Sequence, residues 1–300
     1  MSTHESPTHD NVGRASSRDA WNPSQRERER IALRNQIARK RMLIAGLSSL
    51  AVLGGLMAVI VSSPGWKVVN KTFFDWNYGA TVLHVVAKGI LTNIGLTIVA
   101  SIAIGVVAMC LALARTSRSA AMTPFRILAT GYVDIFRGVP LLLVILLVGF
   151  GVPALRIKTI PNSVLLLGTV AVVLTYSAYV AEVIRSGILS VHPSQRAAAR
   201  SLGLSQSQTL RHVVLPQAIK RVIPPLLNDL VALLKDTGLV SILGVIDAVR
   251  AGQIEASRTF NYTPYVIAAI LFLIITIPLT RYTDRVLLRS ISRQNAEGTA

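Results

Sequence analysis

Five stretches of the chain contain no Lys, Arg, Asp or Glu: residues 42–63, 89–114, 138–155, 159–181 and 259–280. A bilayer core takes about 20 apolar residues of helix. Four of these runs reach that length and the third nearly does, so each predicts a membrane-spanning helix. The third is expected to start earlier, near Arg126, which sets Asp134 and Arg137 three residues apart on one helix face. A further apolar run, 222–246, is interrupted by Pro224, Pro225, Asp229, Lys235 and Asp236 and is clean only over 238–246. It predicts a broken span whose polar residues face protein or water rather than lipid. The expected fold is an all-α integral membrane protein of about six transmembrane helices. The first run is too long, and starts too far along the chain, for a secretory signal.

Composition agrees with that class. The 300 residues are 52% hydrophobic and 15% charged, against about 25% charged in soluble domains. The net charge of +17 is unevenly placed. With the N-terminus inside, the cytoplasmic segments hold 22 Lys and Arg and the outer ones hold seven. The positive-inside rule then puts both termini in the cytoplasm, with residues 195–221 on the same side. A basic chain also raises nucleic-acid binding, but no soluble domain is present to carry it. Residues 1–41 are rich in Ser, Thr, Pro, Asn, His and Arg and predict a disordered basic tail, in which 27–41 can form a short helix. One cysteine, Cys110, makes no intrachain disulfide. No zinc spacing, phosphate loop or dinucleotide motif is found, so no cofactor or metal is expected. No inverted repeat is evident.

The polar segment 187–221 separates two apolar runs. Pro193 and Ser194 suit a helix start, with Ser194 the expected N-cap. Ala197, Ala198 and Ala199 favour helix, and Gly203 suits its stop. Ser205 and Gln208 have capping-box spacing and predict a second helix, ended or kinked at Leu215–Pro216. Two short helices with a glycine bend form a surface able to seat in a groove on another protein.

This segment resembles the coupling loop of the membrane subunits of bacterial ABC importers, and more narrowly the polar amino acid permeases. The residues that carry the resemblance are Ala-Ala-Ala-Arg-Ser-Leu-Gly at 197–203 and Leu215, Pro216 and Gln217 at the family spacing. LTNIGLT (91–97), YVDIFRGVPLL (132–142), AYVAEVIRSGI (178–188) and KDTGL (235–239) resemble further family segments in the family's order. The chain departs at Ala197, where glutamate is usual, at Arg196, where a large apolar residue is common, and at Gly238, where serine is commoner. The resemblance implies a five-helix type I ABC importer core over 89–289, preceded by an extra N-terminal helix (42–63) and an extracytoplasmic loop (64–88) and followed by a short tail (290–300). It implies a permease of the bacterial plasma membrane that works as a dimer with an identical or similar subunit, takes up polar or charged amino acids, and hydrolyses no ATP itself. Two ABC ATPase subunits would meet the loop at Arg196, Ala197, Ala198, Ala199, Leu202, Gly203, Leu215 and Pro216. An extracytoplasmic solute-binding protein would deliver the substrate.

Asp134, Arg137, Glu182, Lys235, Asp236 and Thr237 are the candidate pore or interface residues. Asp134 can pair with Arg137, and Glu182 with Arg185. Lys235 and Asp236, being adjacent, cannot readily satisfy each other, and both are expected to face the protein interior. A secondary transporter, which has no use for a motor-docking loop, and a non-transport membrane scaffold are the alternative readings.

Overall fold

The computed structural model describes residues 24–117, 119–159 and 161–297, with side chains as far as Leu288. The tail residues 1–23 and 298–300 lie outside the described residues. The chain divides into two units, Met1–Trp66 and Lys67–Ala300.

The first unit holds α1 (Gln25–Ser62), one continuous helix with no buried residue. Residues 25–41, within which 27–41 is expected as a short helix, belong to this helix. They contain neither Gly nor Pro and are rich in Arg, with Gln, Glu and Ala among the rest, all good helix formers.

α2 (Trp66–Phe73) starts at the last residue of the first unit and continues into the second, where α3 (Trp76–Thr116) follows. The stretch expected as a loop over 64–88 is thus largely helical. Asp75 caps α3 by accepting from the Tyr78 N–H at 3.1 Å. Gly79, Val82 and Val86 continue the buried face of α3 below residue 89, and Lys88 is its one charge there, exposed. Next come α4 (Thr123–Gly138), α5 (Leu141–Ala154) and α6 (Val164–Leu189). The expected single third span is broken: α4 and α5 meet at 106°. Pro140 lacks an N–H and holds Val139 in an extended conformation, so the helix stops at Gly138. Two short helices follow, α7 (Pro193–Ser201) and α8 (Gln206–Thr209). A π turn (Leu210–Val214) leads into α9 (Leu215–Asp236), a 3-10 turn (Thr237–Leu243), α10 (Ala248–Thr259) and α11 (Thr263–Glu297).

Among the described residues, four helical segments are long and apolar enough to cross a membrane, and the bent α4–α5 pair makes a fifth. The run expected as a broken span forms α9 with its 3-10 turn, which is not among those five. It carries charges but packs against α3, α6 and α11.

The core lies between α3 and α6. Leu96, Ala100, Ile104, Ala108 and Ala112 recur every four residues along α3 and are all buried. They meet Ala171, Val172, Ala178, Ala181, Ile184 and Ile188 of α6. Small residues dominate both faces. Lipid tails are as apolar as leucine, so close van der Waals contact, rather than escape from water, holds such helices together. Gly187 shows how tight the contact is. A Cβ there would stand 2.1 Å from Val222 Cγ1 on α9.

Candidate functional site

The α7–α8 bend is built by local capping. His192, not Ser194, is the N-cap of α7: its ring nitrogen accepts from the Ser194 N–H at 3.2 Å. Pro193 occupies the first helical position, where its missing N–H costs nothing, and this puts the cap two residues before Ser194. At the other end the Gly203 N–H donates to Arg200 O and the Leu204 N–H to Ala199 O. That pattern is a Schellman closure, and Gly203 adopts φ +85°, the left-handed conformation it requires. Ser205 and Gln208 then form the expected capping box, at 3.2 and 2.8 Å. The helix does not end at Pro216. A π turn over Leu210–Val214 absorbs the proline's missing donor, and the chain runs on into α9.

Leu202, at the tip, is 83% exposed. Ala197, Ala198, Gly203 and Pro216 are also exposed, Leu215 is half-buried, and Ala199 is buried beneath them. Arg196 is half-buried and donates to the Ile188 carbonyl in the last turn of α6. Arg221 reaches Ser190 O and, at 3.0 Å, Ser190 Oγ. Two guanidiniums from opposite sides of the loop thus satisfy carbonyls that the end of α6 would otherwise leave unpaired.

The polar candidates divide among three places. Glu182 is a junction of helices. Its carboxylate meets Arg115 of α3 at 2.6 Å, Arg185 of α6 at 3.2 Å and Arg137 of α4 at 3.9 Å. The Glu182–Arg185 pair is as expected; the Asp134–Arg137 pair is not present. Arg137 turns instead to Glu182 and stacks over Tyr179, at 6.0 Å from the ring centre. Asp134 is exposed and makes no ion pair among the described residues. Arg115 had no signal in the sequence, because its partner is 67 residues away.

A cavity of about 400 Å³ opens between α3, α6 and α9. Ile104, Met109, Val180 and Leu230 line it, with Tyr176, Ser101 and Asp229 as its polar members. Asp229 Oδ2 is buried there without a hydrogen-bond partner. Tyr176 OH donates to Asp236 Oδ2 at 2.7 Å. Lys235, expected to face inward beside Asp236, is exposed on this chain. One helical step is about 100°, so inward placement of Asp236 carries Lys235 outward.

Thr237 belongs to the third place, a fully buried polar hub. Asn93 Nδ2 donates to Thr237 Oγ1 and to Asp247 Oδ2, both at 3.1 Å. Asn93 Oδ1 accepts the Ala248 N–H at 3.2 Å. Removal from water raises the Asp247 carboxyl above its ordinary range, and hydrogen bonds from the Arg250 N–H and the Asn93 amide oppose that rise. Asn93, Asp229 and Asp247 were missed as candidates. The signal was a polar residue inside an otherwise apolar run.

Comparison with known proteins agrees with this geometry. The family model described as "Binding-protein-dependent transport system inner membrane component" matches residues 119–291. A Rickettsia conorii protein named as the glutamine transport system permease GlnP is 36% identical over 191 residues, 63% of this chain and 85% of that one. The Bacillus subtilis arginine transport system permease protein ArtQ is 30% identical over 207 residues, 68% of this chain and 92% of that one. The solved structure described as an amino acid ABC transporter with histidines superposes with a TM-score of 0.66 at 31% identity, over 72% of this chain and 98% of that one. The secondary-transporter and scaffold readings fall away. A helical core of importer fold and a matching family model together place the chain in the family of binding-protein-dependent transport system inner membrane components: it is a multi-pass permease subunit of an ABC importer, whose ATP hydrolysis is carried out by separate subunits.

Proposed function

We propose that this permease imports amino acids bearing a positive charge on the side chain. The observation that carries this is Asp229. Its carboxylate has a buried oxygen with no partner, in a cavity whose other walls are mostly apolar. A carboxylate held out of water without a counter-charge is costly, and a bound cation offsets that cost. The volume of about 400 Å³ falls in the range of small-ligand sites. ArtQ, named for arginine, supports the same substrate class.

Two such subunits, identical or similar, form the path at their interface, with both termini and the α7–α8 loop in the cytoplasm. Two ATPase subunits seat on the exposed tip around Ala197, Leu202 and Gly203, and a solute-binding protein meets the opposite face. Closure of the motors switches the path by their differential affinity for its two states.

The test is uptake in proteoliposomes holding the permease, its ATPase and its binding protein. Arginine or lysine should outcompete glutamine and glutamate. Asp229→Asn should slow arginine uptake on the order of tenfold or more, the worth of one hydrogen bond to a charged group. Preference for glutamine in the wild type, or full arginine uptake by Asp229→Asn, would sink the substrate reading.

A further inference from the structure

A line of half-buried and buried polar contacts joins the cavity wall to α10. Tyr176, in that wall, is hydrogen-bonded to Asp236. The next residue, Thr237, is fully buried and accepts from Asn93. The same Asn93 amide holds the Asp247 carboxylate, and its carbonyl holds the Ala248 N–H. Asp247 is the N-cap of α10, accepting the Arg250 N–H at 2.8 Å. Asn93 thus uses both amide protons and its carbonyl at a site with no exposure.

A second observation is independent of those bonds. Gly89 lies one turn before Asn93 on the same face of α3. A Cβ at Gly89 would stand 2.4 Å from Ala248 N and 2.5 Å from Asp247 C, both backbone atoms. Gly89 and Asn93 together form a seat in α3, bare at one level and polar at the next, that accepts the first turn of α10. A leucine at 93 would fill space without fixing register. A fully satisfied buried network does fix it, because any slip leaves several polar groups unpaired at once.

We propose that Asn93 is a positioning residue for transport coupling. It holds α10 in register with the cavity end of α9, so that substrate at the cavity wall and binding protein at the α10 face act on one rigid piece. This rests on the proposed orientation, in which α10 lies on the extracytoplasmic side.

The experiment uses the purified permease–ATPase complex in nanodiscs, with arginine-loaded binding protein as the stimulus. Basal ATPase rate, stimulated rate and thermal stability are measured. Asn93→Asp removes the amide donors and sets a carboxylate against Asp247. The stimulated-to-basal ratio should fall about fivefold or more, the lower end of ordinary coupling between sites, while basal hydrolysis continues. The double variant Asn93→Asp/Asp247→Asn exchanges donor and acceptor across the same contact and should return the ratio close to wild type. A merely structural role would lower both rates together and leave the ratio unmoved. A wild-type ratio in Asn93→Asp overturns the inference, as does a double variant that assembles but is not stimulated. If the single variant fails to assemble, the double variant decides by the same criterion. A wild-type complex that its loaded binding protein does not stimulate overturns the transport reading and this inference with it.

Discussion

Gly89→Ala and Gly95→Ala make the same change on the same helix and should have opposite effects. Gly95 has nothing within 4 Å of where its Cβ would stand. Replacing it removes only backbone freedom, so the variant should be neutral or gain up to about 1 kcal/mol. At Gly89 the new atom falls 2.4 Å from Ala248 N, where ordinary contact starts at 3.4 Å. The obstacle is backbone and cannot rotate away, so α10 must retreat by about 1 Å. Overpacking of that kind costs about 1–3 kcal/mol. The retreat also stretches the Asn93 bonds to Asp247 and Ala248, now 3.1 and 3.2 Å, beyond useful length. Each buried bond lost adds about 1 kcal/mol. After the gain in helix propensity, Gly89→Ala should lose roughly 2–4 kcal/mol. Thermal unfolding of the purified complex in one detergent measures the difference. Hydrogen exchange localises it, with α10 amides exchanging faster in Gly89→Ala alone. Equal melting of the two variants, or unchanged exchange in α10, would refute the close approach of α3 and α10.

Two further outcomes follow from the loop and from the Glu182 junction. Gly203→Val puts a β-branched residue at φ +85°, a strain of about 1–2 kcal/mol; it should leave membrane insertion intact yet abolish ATP-driven uptake, whereas Ala197→Glu, on the exposed face, should be tolerated, and normal uptake by Gly203→Val would exclude the bend from motor docking. Glu182→Gln leaves Arg115, only 9% exposed, without its counter-charge; the melting free energy should fall on the order of 2 kcal/mol, less than the 3–5 for full burial because the carboxylate is 24% exposed, and a wild-type melt would mean that the three arginines are satisfied elsewhere.

The loop was legible because its signals are local. Gly203, Ser205 and Gln208 act on neighbours within four residues, so spacing alone identifies the stop and the capping box. His192 was missed because serine is the commoner cap, although Pro193 fixes the first helical position and so selects the residue before it. The helical start of α3 was hidden by a rule that read an absence of charge. Lys88 closed the apolar run, while the buried sequence Gly79, Val82 and Val86 continued past it at helical spacing. The junction and the hub were illegible for another reason. Glu182 reaches Arg115 across 67 positions and Asn93 reaches Asp247 across 154, and one sequence holds no trace of such pairings.

Lys235, Asp236 and Thr237 show why a run of polar residues in an apolar span resists reading from sequence. Three neighbours meet three environments: Lys235 is exposed, Asp236 holds Tyr176 and Thr237 is buried on Asn93. Helical rotation separates the first two. The third is set by a change of helix type, because α9 tightens to a 3-10 turn at Thr237. In that geometry every third residue eclipses the first, and Thr237, Val240 and Leu243 are indeed the buried line. Val240 fills the place a Cβ would take at Gly168 of α6, and Leu243 does the same at Gly149 of α5. The turn can therefore seat only in this register, with Thr237 opposite Asn93. The glycines of two neighbouring helices decide where the polar hub forms, and they lie 69 and 88 positions upstream of the threonine they position.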